Sequence, residues 1–115
     1  MYVERVRNGE TARVASAVST ADGLLAQMRG LMFRRSLPED FALAFRFDDV
    51  ATRDVHMLFV FQPLDVVWVR EGTVSRIERL EPWTGLASGE ADLLLELPAG
   101  GAHDIAPGDA LRLVE

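Results

Sequence analysis

The chain has 115 residues, 49% of them hydrophobic, and a formal net charge of −6. That length and apolar content describe one domain with a proper core and exclude a disordered tail. The absence of cysteine excludes a disulfide framework, a thiolate zinc site and a cysteine nucleophile, and the acidic balance excludes general nucleic-acid binding, which depends on phosphate neutralisation.

Val3 to Arg7 is expected to form a strand, followed by Asn8-Gly9 as a hairpin turn and a second strand over Glu10 to Ser19. Thr20-Ala21-Asp22 offers helix N-cap chemistry. A short helix is expected near residues 22–28, with Leu24, Leu25 and Met28 on one face and Gly30 ending it. Leu31 to Asp40 reads as loop. Phe41 to Phe47 alternates as a strand, with phenylalanines at 41, 45 and 47 on one side. Val55 to Phe61 and Leu64 to Arg70 read as two strands bent at Gln62-Pro63. Glu71-Gly72 is a tight turn, and Thr73 to Leu80 returns as a strand. Glu81 to Gly89 is a loop carrying Pro82, Trp83 and Gly85. Ala91 to Leu97 is apolar enough, at Leu93-Leu94-Leu95, to be a central strand. A glycine-rich connection then leads, with one helical turn near His103, to a last strand over Ala110 to Val114. Many short strands with tight turns and one helix predict a mainly β single domain, a compact β barrel or sandwich.

Three short motifs stand out: Gly30-Leu31-Met32 with its flanking arginines, His56-Met57 followed by Pro63-Leu64-Asp65, and Glu96-Leu97-Pro98-Ala99-Gly100. Together they resemble the family of small proteins called domain of unknown function 192, over about Ala15 to Leu113. The resemblance implies a compact β barrel or sandwich with a small helical insertion, and no settled activity. The family pattern places an arginine three residues before the Gly-Leu-Met and another two after the methionine. Arg34 matches the second, whereas Gln27 stands at the first. The family's Trp-Met-Lys-Asn-Thr run is here His56-Met57-Leu58-Phe59-Val60, so Met57 matches and the polar run is replaced by apolar residues.

Each candidate residue has a structural and a functional reading. Arg34 either satisfies helix-end carbonyls or clamps a carboxylate or phosphate. His56 either packs as a hydrogen-bonded imidazole or acts as a general base oriented by Asp54 or Asp65. Asp65 opens an apolar strand and, if buried, needs partners; an ion pair with Arg34 would join two of the motifs. Trp83 either seals an end of the domain or offers a stacking face. Glu96, at the end of an apolar strand, lines a pocket mouth or reaches solvent. Gly30, Leu31, Met32, Pro63, Leu64, Pro98 and Gly100 read as the structural part of the motifs. His103, Asp104 and Asp109 have no recognised metal-ligand spacing, so no metal or cofactor is expected.

All 12 basic residues are arginine, against 18 acidic ones. This fits either a GC-rich genome or a halophile's salt-rich cytoplasm. Met1-Tyr2-Val3-Glu4-Arg5 does not read as a targeting signal, and the apolar stretch Val55 to Val69 is shorter than a membrane span, so a cytoplasmic protein without a membrane partner is expected. The favoured function is a non-catalytic module binding a small polar, anionic or saccharide ligand through Arg34, His56, Met57, Asp65, Trp83 and Glu96. The competing readings are a hydrolase using His56 or Glu96, and a protein-interaction domain using a sheet edge or the Leu58 to Phe61 stretch.

Overall fold

Asn8-Gly9 and Glu71-Gly72 both adopt positive φ at the two central residues, 52° and 79° in the first and 50° and 82° in the second. These turns match the twist of paired strands and set up two hairpins. In the computed structural model, which describes residues 1–21 and 30–115, they join β1 (Tyr2–Arg7) to β2 (Glu10–Ala15) and β5 (Leu64–Arg70) to β6 (Thr73–Leu80). The other strands are β3 (Ala17–Thr20), β4 (Phe41–His56), β7 (Leu86–Pro98) and β8 (Ala110–Val114). All eight belong to one sheet in the order β2-β1-β8-β6-β5-β7-β4-β3. The expected helix near residues 22–28 lies outside the described residues.

The protein is mainly β as expected, but the ladder does not close into a barrel. Its edges, β2 and β3, form no ladder with each other and are joined only through Ser16. The expected single strand from Glu10 to Ser19 is therefore two. Ser16 and Ala17 both donate their amides to the carbonyl of Asp40, at 3.0 Å each, which turns the chain from one edge to the other. β3 then pairs in parallel with β4, from Ala17 opposite Phe41 to Thr20 opposite Ala44.

Two more boundaries differ from expectation. β4 runs on to His56 instead of stopping at Phe47, and its partner β7 begins at Leu86 instead of Ala91. The register slips between Arg46 and Ala51, so Phe47 to Val50 face the single residue Asp92 of β7. Beyond that bulge, Ala51 to His56 pair with Ala91 to Leu86 and carry the hairpin past the sheet centre. Residues 57–61 are turn rather than strand, and the glycine-rich connection near His103 is a set of turns rather than a helix.

Successive strand side chains point to opposite faces. On one face, Leu43 and Phe45 of β4, Val66 and Trp68 of β5 and Leu94 of β7 pack with Leu31, Val55, Met57 and Val60. On the other, Ala42, Ala44, Val67, Val69, Leu95 and Leu97 pack with Val3, Leu111, Ala102 and Ile105. The sheet centre is thus buried on both sides, which is why β7 reads as an unbroken apolar run through Leu93-Leu94-Leu95.

Candidate functional site

Glu96 breaks that apolar run between the buried Leu95 and Leu97. It sits across from Leu43 on one neighbouring strand and Val66 on the other, in a row that is otherwise hydrocarbon. It is 7% exposed, and Oε1 has no hydrogen-bond partner among the described residues. Buried carboxylates are normally paired or hydrogen-bonded, because an ionised carboxylate away from water is costly. Burial accordingly pushes the Glu96 carboxyl up to about 7.

Above this carboxylate lies a cavity of about 420 Å³. Leu31, Phe45, Val55, Val60 and Leu94 supply apolar wall. Thr52, Asp54 and His56 come from alternate positions of the β4 extension. Gly30 makes the cavity possible. Its φ of +51° favours glycine, and a Cβ there would stand 3.1 Å from Glu96 Oε1 and 3.6 Å from Phe45 Cζ. The turn after Gly30 is held by the Arg34 amide donating to the Leu31 carbonyl at 3.2 Å and the Phe33 amide donating to the Phe59 carbonyl at 2.8 Å.

The structure brings Glu96 and His56 to one cavity, with Gly30, Leu31 and Met32 of the first motif. His56 is exposed at the rim, and its Nδ1 accepts the Leu58 amide at 3.3 Å. Met57 is fully buried beside the site. Its amide donates to Gly85 and its carbonyl accepts from Val60 and Trp83, so it pins the 57–61 turn to the loop after β6. Arg34 is exposed and away from the described cavity wall, with its guanidinium carbon 5.8 Å from the centre of the Phe41 ring.

Asp65 lies on the opposite face, and the expected ion pair with Arg34 does not form. Asp65 instead pairs with Arg79 at 2.8 Å and accepts the amides of Gly100 and Ala102 at 2.9 and 3.1 Å. Burial pushes its carboxyl up, but the hydrogen bonds from Arg79, Ala102 and Gly100 outweigh it and leave the group below its ordinary value. Pro63-Leu64-Asp65 and Pro98-Ala99-Gly100 are therefore two halves of one device. Leu64 pairs with Pro98 at the strand ends, and the carboxylate caps the turn that follows.

Trp83 joins a surface group of four rings. Phe33 contacts Phe59 and Phe61, and Trp83 contacts the same two, with centroids 5.2 to 6.5 Å apart. Phe33, Phe59 and Trp83 all have positive φ, which is unusual for bulky residues. Sequence reasoning missed Thr52, Arg53, Phe45 and Phe47 as cavity residues and named Asp54 only as a partner for His56. The period-2 alternation of Thr52, Asp54 and His56 was the available signal, and the bulge hid it. Among the described residues, no group of three or more His, Asp or Glu is placed to hold a metal ion, and no helix is long and apolar enough to cross a membrane.

The sequence profile of the DUF192 family, described as "Uncharacterized ACR, COG1430", matches residues 4–113. No curated protein matches the chain. Two crystal structures are similar in fold. One is a "putative transcription regulator" from Sinorhizobium meliloti 1021, 24% identical, covering 96% of this chain and 90% of its own, with a TM-score of 0.81. The other is a protein of unknown function from Novosphingobium aromaticivorans DSM 12444, 22% identical, covering 97% and 84%, with a TM-score of 0.83.

Proposed function

The chain belongs to the DUF192 family, and from that premise we propose that it is a non-catalytic binding module whose small polar ligand enters the cavity over Glu96. One observation carries the reading: a nine-tenths-buried carboxylate, one oxygen of which has no partner among the described residues, in the wall of a cavity of the size that holds small molecules. In a packed core such a group has no structural use, and replacing it by a hydrocarbon would be favourable. It has a use as the recognition group of a site whose remaining wall is apolar.

The description of one fold neighbour as a "putative transcription regulator" does not alter this. A likeness of 24% identity carries the fold alone, and a net charge of −6 offers no general phosphate-neutralising surface. A second reading has one supporting observation, that His56 and Glu96 line the same cavity. It makes them an acid–base pair in a hydrolase.

Both readings meet in a thermal-shift screen of small metabolites on the wild type and Glu96→Gln. The expected outcome is a stabilising compound whose effect is lost in the variant; saturation at about 100 times the dissociation constant adds roughly 2.7 kcal/mol. Following the hit by proton NMR separates the readings, since a bound ligand stays intact and a substrate is converted. Stabilisation that persists in Glu96→Gln would sink the cavity as the site.

A further inference from the structure

A molecule entering this cavity meets an unusual balance of charge. Among the described lining residues the ionisable groups are Arg53, Asp54, His56 and Glu96. Arg53 is already committed. Its Nε donates to the Ala91 carbonyl at 3.1 Å, its Nη2 donates to the carbonyl and the carboxylate of Asp49 at 2.7 and 3.0 Å, and its guanidinium lies 3.8 Å from the Phe47 ring centre. Asp54 accepts the Ser88 hydroxyl. His56 is held at the rim by the Leu58 amide. The described lining residues therefore offer two carboxylates and no uncommitted guanidinium or ammonium. An anionic ligand would meet like charge, and one of the two carboxylates lies in a dry apolar wall where an opposite charge is worth most.

We infer that the ligand is an organic cation of the primary-amine class, with its ammonium against the Glu96 carboxylate and its hydrocarbon body against Phe45, Val60 and Leu94. This rests on the reading of the cavity as a ligand site. An ammonium is compact and carries three donors, which suits a carboxylate at the wall of a small cavity.

Proton linkage gives this inference a sign. The carboxyl lies near 7 in the empty cavity, whereas an alkylammonium keeps its proton to about 10. Binding therefore ionises Glu96 and expels its proton. Amine affinity rises with pH up to about 7, by as much as about tenfold per unit, and levels off above it. A neutral ligand that accepts a hydrogen bond from the protonated carboxyl shows the opposite slope.

The test is isothermal titration of the whole chain with 2-phenylethylamine, cyclohexylamine, 2-phenylethanol and 3-phenylpropionate at pH 5.5, 6.5 and 7.5, in buffers of different ionisation enthalpy. The variants are Glu96→Gln and Gly30→Ala, with circular dichroism to establish folding. The second keeps the carboxylate and crowds it with a methyl group 3.1 Å from Oε1. The expected result is amine binding that strengthens about tenfold from pH 5.5 to 6.5, releases a proton, and weakens at least tenfold in either variant. Tighter binding of the alcohol or the carboxylate, lost in Glu96→Gln, overturns the amine class and leaves the site standing. Amine binding indifferent to both variants overturns the site itself. No heat from any probe at millimolar concentration overturns both.

Discussion

Asp65 shows how one side chain turns two sequence motifs into a single structure. Its carboxylate accepts two backbone amides and a guanidinium, and it is 4% exposed. Replacing it by alanine leaves the Gly100 and Ala102 amides without an acceptor, at about 1–3 kcal/mol for each buried donor. Asp65→Ala is therefore expected to lose about 3 kcal/mol in urea unfolding, and Asp65→Asn less, because its amide oxygen still accepts one bond. Unchanged stability in the alanine variant would remove the capping role. The sequence marks both motifs but pairs Asp65 with Arg34, and the reason it misleads is local. Counting back from the Glu71-Gly72 turn with Arg70 opposite Thr73, an unbroken hairpin puts Asp65 opposite Glu78. The bulge between Trp68 and Val69 moves the partner on by one residue, to Arg79. A slip of one residue converts a like-charge contact into an ion pair, and nothing in the composition of either strand announces it.

At the scale of the strands, the strongly patterned elements were legible and the irregular ones were not. β5, β6 and β8 lie where their apolar runs and turns place them. β4 and β7 were read short because Phe47 to Val50 interrupts the alternation of one and glycine that of the other. Gly89 has a packing reason for its place. A Cβ there would stand 2.7 Å from Trp68 Cγ and 2.8 Å from Cδ1, so the indole lies directly on the β7 backbone. Trp68 cannot retreat, being fully buried with its Nε1 donating to the Arg53 carbonyl at 2.9 Å. Gly89→Ala is expected to cost about 1–3 kcal/mol as overpacking, read as a lower urea midpoint with an unchanged slope. Because this contact holds the β4 extension that carries Thr52, Asp54 and His56, the same variant should weaken any ligand of the cavity. A fully stable Gly89→Ala would mean that the indole moves freely. The cavity escaped sequence reasoning for the same reason as the strand ends: its described wall is built by a bulge, a glycine and the approach of two loops, none of which has a periodic signature.

For the whole molecule, carboxylates with opposite environments divide the pH scale. Arg7 holds Asp109 down to about 2, against the opposing effect of burial and with help from the Ala106 amide, and Asp65 is also held low. A group more acidic in the folded chain stabilises it fully above the ordinary value of 3.8, and that contribution disappears as the pH falls through the folded value. Glu96 acts in the other direction. Below its ordinary value of 4.5 it is protonated whether the chain is folded or not, and it exacts nothing. Between 4.5 and about 7 the unfolded chain ionises while the folded one holds its proton, so stability falls with rising pH, and above 7 the loss is complete. Over that window the loss amounts to roughly 3 kcal/mol, spread at no more than about 1.4 kcal/mol per unit. The unliganded protein should thus be most stable near pH 4.5 to 5, which is unusual for a domain with 18 acidic residues spread over its length. Melting temperatures of wild type and Glu96→Gln from pH 3 to 8 isolate the effect, since general charge repulsion is common to both. The difference between them should be small at pH 4.5, grow in favour of the variant up to about pH 7 and stay constant beyond. A difference independent of pH would mean that Glu96 is solvated in the folded chain. That result would also withdraw the dry, unpaired carboxylate on which the binding reading stands, so one melting series bears on both the stability of the fold and the chemistry of its cavity.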